Sequence, residues 1–174
     1  MIDILTGAVG SGKTRALARI VESLRARGLA ADGFLGIRIF DAGRLSGYDL
    51  ELLRDGRRIP FLRRTAAAAE RTVGLWATIE DGADAAAKII RTSDPRDLLV
   101  VDELGPWELT GGGHWPALAG VLDQPGRRFL FVIRESCLTD FAARFAGRDV
   151  RIHEVRPDED VRAVVGEIAD GRHS

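Results

Sequence analysis

Two lysines stand against twenty-three arginines in this 174-residue chain, and one of them, Lys13, falls in the run Gly7-Ala8-Val9-Gly10-Ser11-Gly12-Lys13-Thr14. Glycines at this spacing let the backbone turn tightly and bring its N–H groups up to an anion with no Cβ in the way. A helix starting at the end of the run adds its own unpaired N–H groups and the positive end of its dipole. The slender lysine stem reaches two phosphate groups at once, a task the broad guanidinium fits less well, and a threonine hydroxyl suits Mg2+. The eight residues match G-x-x-x-x-G-K-[ST], with the apolar "IDIL" before them and "TRALARIVESLRARG" after. That context, strand then helix, is the one the motif requires. Gly7 to Thr14 therefore read as the phosphate cradle of a nucleoside triphosphate, with Lys13 also stabilising charge during reaction.

The second constellation is Leu98-Leu-Val-Val-Asp102-Glu103. A buried parallel strand ending in aspartate delivers a carboxylate to the carboxyl edge of the sheet, where ligands of open α/β folds bind. Asp102 is placed to hold Mg2+ opposite Thr14, directly or through water. Glu103, one residue beyond, is placed to take a proton from an attacking water. Arg134 ends the apolar "FLFVIR", a strand expected beside the Asp102 strand, so its tip is a candidate for stabilising charge on the γ-phosphate. A surface ion pair is the plainer reading of Arg134.

These residues need a frame. In the helix after the loop, Leu17, Ile20, Val21 and Leu24 fall on one face, and Gly28 marks its end. From Asp32 to Arg64 the period shortens. "GFLGIRIF", "RLSGYDLELL" and "RRIPFLRR", broken by "DAG" and "DG", read as β-hairpins. "TVGLWATI" reads as extended, "EDGADAAAKIIRTSDP" as a helix, "DLLVVDELG" as a strand stopping on its two acids, "HWPALAGVLD" as a short helix and "RRFLFVIR" as a strand. "CLTDFAARFAG", "DVRIHEV" and "PDEDVRAVVGEIAD" follow as helix, strand and helix. This order implies an α/β fold: a mostly parallel twisted sheet with helices on both faces and an inserted antiparallel β-hairpin region at about 32–64. No linker or repeat divides it, and residues 1–174 are expected to be a single domain.

Three stretches, "GAVGSGKT", "GFLGIRIF…GRLSGYDLELLRDG" and "VVDELGPWEL", together resemble the small P-loop nucleoside-triphosphatases, also called cancer-related NTPases. The likeness runs over roughly residues 2 to 135, and the D-E-L-G-P-W-E-L stretch is its more specific part. The resemblance implies a P-loop NTPase fold and hydrolysis of ATP, GTP and potentially other nucleoside triphosphates. It also implies phosphates on Gly7 to Thr14, the metal on Asp102 and the water on Glu103. Trp107 stands where a smaller or aliphatic residue is expected, and "TGGGHW" makes a loop with no assigned role.

Other readings stay open. The same cradle serves a small-molecule kinase, although no polar acceptor pocket is visible in the sequence. It also serves a nucleotide-dependent switch that acts on a protein partner through the 32–64 hairpins. Glu108 can orient the loop or the metal's surroundings, or simply cap a helix. Arg54, Arg57, Arg58, Arg63 and Arg64 can form a lid or a partner surface, but a solvated sheet edge is the default. Trp107 and Trp115 can stack on a base, with packing against the sheet favoured. His114 and Cys137 are taken as structural.

Acids and bases nearly cancel, at a formal net charge of −1, so neither a broad nucleic-acid surface nor an anionic-membrane surface is expected. The lone cysteine and the absence of a signal-peptide pattern point to a cytoplasmic protein. No apolar run approaches the roughly 20 residues of a membrane span.

Overall fold

A computed structural model describes residues 1–64, 72–73, 75–156 and 160–171. Nine strands form one sheet in the order β5-β6-β4-β3-β2-β7-β8-β1-β9. They are β1 (Ile2–Thr6), β2 (Ala31–Asp41), β3 (Arg44–Leu52), β4 (Arg58–Arg64), β5 (Thr72–Val73), β6 (Trp76–Thr78), β7 (Leu98–Leu104), β8 (Arg128–Ile133) and β9 (Val150–Glu154). β2, β7, β8, β1 and β9 run parallel to their neighbours. β3, β4, β6 and β5 extend the sheet from the other side of β2 as antiparallel strands.

The parallel strands are apolar throughout because both of their faces are covered. Leu98, Val100, Leu130 and Val132 point to one face, against Leu17, Ile20, Val21 and Leu24 of α1 (Lys13–Ala26) and Val165 and Ile168 of α6 (Arg162–Asp170). Leu99, Val101, Phe129 and Phe131 point to the other, where α2 (Glu80–Thr92), α4 (Trp115–Ala119) and α5 (Leu138–Arg144) supply Ile90, Leu118 and Phe141. The remaining helix, α3 (Pro106–Leu109), is a single turn after β7. The sheet of mixed direction, with helices on both faces and an antiparallel addition, is the α/β fold that the sequence implies.

Two details differ from the sequence reading. The hairpin region is continuous with the sheet: residues 31–34 of β2 pair in parallel with β7 before the same strand turns outward to pair with β3. Gly33 permits that close approach. It has φ +128°, and a Cβ there would lie 1.9 Å from the Val100 carbonyl oxygen. The second detail is that β7 does not stop at its acids. It continues to Leu104 through a bulge, since Val101 pairs with Phe131 and Leu104 with Ile133, three steps against two.

The arginines of the antiparallel strands are mostly tied down. Arg54 donates to buried Asp32 at 2.5 Å, Arg58 pairs with Glu51 at 2.7 Å and Arg63 with Asp49 at 2.6 Å. These pairs lie on and beside β3 and β4, which are interior strands of the sheet rather than the solvated edge that the sequence suggests as the default. The exposed pair of Arg58 and Glu51 contributes about 0–1 kcal/mol and pins geometry more than it adds stability. Among the described residues no helix is long and apolar enough to cross a membrane.

Candidate active site

The loop Gly7–Gly12 leaves the buried end of β1 and enters α1. Its three glycines are all in the left-handed region: Gly7 at φ +146°, Gly10 at +84° and Gly12 at +86°. Gly7 is also crowded, with a would-be Cβ 2.6 Å from the Val155 carbonyl oxygen, whereas Gly10 and Gly12 face open space. Glycine is thus required for conformation at Gly10 and Gly12, and for both conformation and room at Gly7. Ala8, Val9 and Gly10 are exposed, and Ser11 is buried with an unpartnered hydroxyl. Lys13 opens α1 and curls back over the loop, donating from Nζ to the carbonyls of Gly7 at 2.7 Å and Ala8 at 2.8 Å. Burial lowers its pKa from the ordinary lysine value, against the opposing influence of Glu103 and Asp102. The ammonium that the sequence assigns to phosphate is therefore held at the loop's mouth by two weak acceptors that an anion can replace.

Asp102 is buried at 4 % exposure in the C-terminal part of β7. Burial pushes its carboxyl up to about 6, although the Gly36 N–H, donating to Oδ2 at 2.9 Å, and the Thr14 side chain both favour the charged form. Its other oxygen, Oδ1, has no hydrogen-bond partner. A buried carboxylate oxygen without a donor is costly unless something cationic faces it. The free Oδ1, on a carboxyl that the Thr14 side chain also reaches, makes a donor set that fits the hard, oxygen-seeking Mg2+.

Glu103 sits on the bulge itself with φ +72°. A non-glycine residue in that region stores strain of order 1–3 kcal/mol, and bulges commonly re-aim a side chain beside a site. The result is that successive acids serve one place: Asp102 stays buried under the sheet edge, while Glu103 is half-exposed. Arg134, at the end of the adjacent β8 as expected, donates from Nε to Glu103 Oε1 at 2.5 Å. Burial works against the Arg134 cation, but the charge of Glu103 and this bond outweigh it and raise the pKa. The ion pair foreseen as the plainer reading exists, and its partner is the candidate base.

Glu108 belongs to the turn that follows. Its buried carboxylate accepts from the Gly105 N–H at 2.9 Å and the His114 N–H at 3.2 Å, and burial raises its pKa. It orients the loop after Glu103. The glycine run acquires a role in the same place. A Cβ on Gly112 would lie 2.0 Å from Trp107 Nε1, and one on Gly113, at φ +57°, would lie 1.9 Å from Glu108 Oε1. The glycines make room for that tryptophan and that carboxylate. Trp115, by contrast, packs against Phe141 and Phe145, with the Arg144 guanidinium over its ring at 4.5 Å. Cys137 is buried, as is His114.

Sequence reasoning passed over three residues of this region. Gly36 anchors Asp102, Tyr48 feels Glu103 strongly enough to share in the rise of its pKa after burial, and exposed Arg38 acts electrostatically on both Lys13 and Tyr48. The alternation Phe34-Gly36-Arg38 was the available signal, since it puts all three on one face of β2.

A glycine cradle on a strand–helix junction, with a lysine, a threonine and a buried strand-end aspartate converging on one point, defines a P-loop nucleotide-binding protein. Comparison with known proteins agrees. A sequence model of the family described as NTPase matches residues 3–168. The nucleoside-triphosphatase THEP1 of Hyperthermus butylicus is 29% identical over 160 residues, covering 91% of this chain and 84% of that protein. THEP1 of Thermofilum pendens is 30% identical over 122 residues, covering 69% of this chain and 66% of its own length. The solution structure of a human cancer-related nucleoside triphosphatase superposes with a TM-score of 0.74 at 25% identity, over 98% of this chain and 96% of that one. The crystal structure of THEP1 from Aquifex aeolicus gives 0.73 at 20% identity over the whole of both chains, a likeness of fold. The chain belongs to this NTPase family, whose members are nucleoside-triphosphate hydrolases by name.

Proposed function

We propose that the protein hydrolyses ATP, GTP and other nucleoside triphosphates to the diphosphate and phosphate in a Mg2+-dependent reaction, with water activated by Glu103. The observation that carries this reading is the strained bulge, which sets a half-exposed carboxylate immediately beside a buried one, both acting electrostatically on Lys13. An incoming triphosphate replaces the Gly7 and Ala8 carbonyls on Lys13, whose ammonium then bridges the outer phosphates. The loop N–H groups and the start of α1 bind the remaining phosphate oxygens. Thr14 and Asp102 would hold a Mg2+ carried with the nucleotide, which would neutralise charge on the outer phosphates. Glu103 orients a water against the γ-phosphorus and receives its proton, while Arg134 keeps that carboxylate aimed and offers positive charge nearby. Ser11, Gly12 and Gly10 contribute backbone only, and Ala8 and Val9 shape the loop's outer rim. A cytoplasmic location and a protein partner at the 32–64 hairpins remain part of the proposal, the latter with less support because Arg54, Arg58 and Arg63 are occupied by acids of their own sheet.

The test is phosphate release by the purified protein from a panel of nucleoside triphosphates, with Mg2+ or with chelator, and no added acceptor. Release that requires Mg2+ is expected. Absence of release from every nucleotide, under conditions where binding is measured, overturns the hydrolytic reading.

A further inference from the structure

Beside the Asp102–Glu103 bulge, on the antiparallel side of the sheet, lies a cavity of about 340 Å³. That size is near the lower end of the range of about 300–1,000 Å³ for small-molecule sites. Tyr48, Phe61, Trp76, Trp107 and His114 line it, and Glu103 and Arg134 stand where it meets the phosphate site. Its walls are flat and aromatic: Trp76 meets Tyr48 edge-on at 5.3 Å, and the Phe61 ring stacks on the His114 ring at 5.1 Å. His114 is 5 % exposed, and its hydrogen bonds run through its backbone, the N–H donating to Glu108 and the carbonyl accepting from the Leu118 N–H. Neither ring nitrogen has a partner among the described residues. An imidazole in the wall of an aromatic cavity, with neither ring nitrogen bonded to a described residue, offers a polar edge to a ligand. Asp102 and Glu103, which act electrostatically on Lys13, also line the cavity, so with Lys13 on the outer phosphates an occupant of the cavity meets the γ-phosphoryl group.

We propose that this cavity is an acceptor site for a nucleoside, a planar heteroaromatic base carrying alcohol groups, and that the protein transfers the γ-phosphoryl group to that alcohol as well as to water. The proposal rests on the placement of Glu103 at the γ-phosphate that the hydrolytic reading also uses. The base stacks between the aromatic walls with a polar edge on His114, and the sugar points out toward Glu103. The alcohol oxygen forms a new bond to the γ-phosphorus. The bond from that phosphorus to the β–γ bridging oxygen breaks, and the nucleoside diphosphate leaves with the electron pair. The alcohol proton passes to the Glu103 carboxylate. The cavity supplies the acceptor pocket that the sequence did not reveal.

The three tryptophans provide the test, because two line the cavity and Trp115 lies in the core. Full-length protein with 15N-labelled indoles is titrated with adenosine, guanosine, cytidine and thymidine in turn. At least one nucleoside should shift the Trp76 and Trp107 signals and leave Trp115 in place. No shift with any of the four up to their solubility limits, or an equal shift of Trp115, overturns the site. The responding nucleoside is then incubated with γ-labelled ATP and Mg2+. Label in a nucleoside monophosphate is expected, and label in inorganic phosphate alone overturns the transfer. Trp76→Leu should lose the nucleoside-induced shift of Trp107 and the labelled monophosphate while releasing phosphate from ATP at the parental rate. A variant that keeps both nucleoside responses also overturns the assignment. Phosphate release without nucleoside, measured in parallel, tests hydrolysis separately from the acceptor site.

Discussion

The two halves of the sheet meet at β2 but are built on different principles. On the parallel side, every feature of the phosphate cradle comes from one continuous stretch, Gly7 to Thr14, and the cradle's shape is set by backbone conformation. On the antiparallel side, the cavity is assembled from β3, β4, β6, the β7 bulge, α3 and His114, and its shape is set by side chains such as Trp107 and Glu108, for which Gly112 and Gly113 make room. The contrast teaches where each half is fragile. A cradle fails when one local conformation or one functional group is altered, whereas an assembled cavity fails when any distant contributor shifts.

The largest effect expected is on the cradle. Lys13→Arg keeps the charge but not the reach, and turnover should fall by about 100-fold or more, read as phosphate release under saturating nucleotide. Near-parental turnover would mean that charge alone matters there. On the other side, His114 ties stability to pH. Burial holds its imidazole down at about 4, against the ordinary 6.5. The unfolded chain therefore takes up the proton first, and this residue's contribution to stability is lost as pH falls from 6.5 toward 4. The full loss is about 3 kcal/mol. Asp102 works in the opposite direction over the same window, because its folded carboxyl titrates at about 6 and its unfolded one at the ordinary 3.8. Denaturant unfolding of His114→Gln and of the parent at a series of pH values isolates the first effect: the variant should gain relative to the parent as pH drops. A pH-independent difference would show that the ring is not buried as a neutral group.

The glycines sharpen the contrast further. Gly113→Ala places a methyl against the Glu108 carboxylate at a left-handed φ, and should cost about 2 kcal/mol by urea unfolding. Gly10→Ala meets open space and only the conformational penalty, of about 1 kcal/mol, so its main loss should be in nucleotide binding. Equal stability losses in the two would erase the distinction between conformation and packing. The smallest effect concerns Glu103. Glu103→Gly relieves the strained φ and should be about 1 kcal/mol more stable than Glu103→Gln, which shares its loss of charge. The comparison by thermal unfolding removes the Arg134 ion pair from both sides.

What was legible in the sequence follows the same division. The cradle could be read because its chemistry is written in consecutive positions, and Asp102 only in combination with it, since an apolar strand ending in an acid is by itself more readily a solvated turn. The run of apolar strands alternating with helices implied a mostly parallel sheet with β8 beside β7, but not the full strand order. The bulge could not be read, since nothing in "VVDELG" marks a glutamate for a left-handed conformation. Nor could the cavity, whose walls lie as far apart in sequence as Tyr48 and His114. The "TGGGHW" run looked idle because the reason for its glycines is the position of Trp107 and Glu108, a matter of packing alone. The hairpin arginines read by default as a solvated edge, and the acids that pair with Arg54, Arg58 and Arg63 became evident only from the structure.

The central claim is that a strained Glu103 activates water beside a cradle that binds without it. Glu103→Gln measures this most directly, with nucleotide affinity determined by equilibrium binding and turnover by phosphate release on the same preparation. The account predicts affinity within about threefold of the parent and turnover reduced by about 100-fold or more. Turnover at the parental level with unchanged affinity would contradict it.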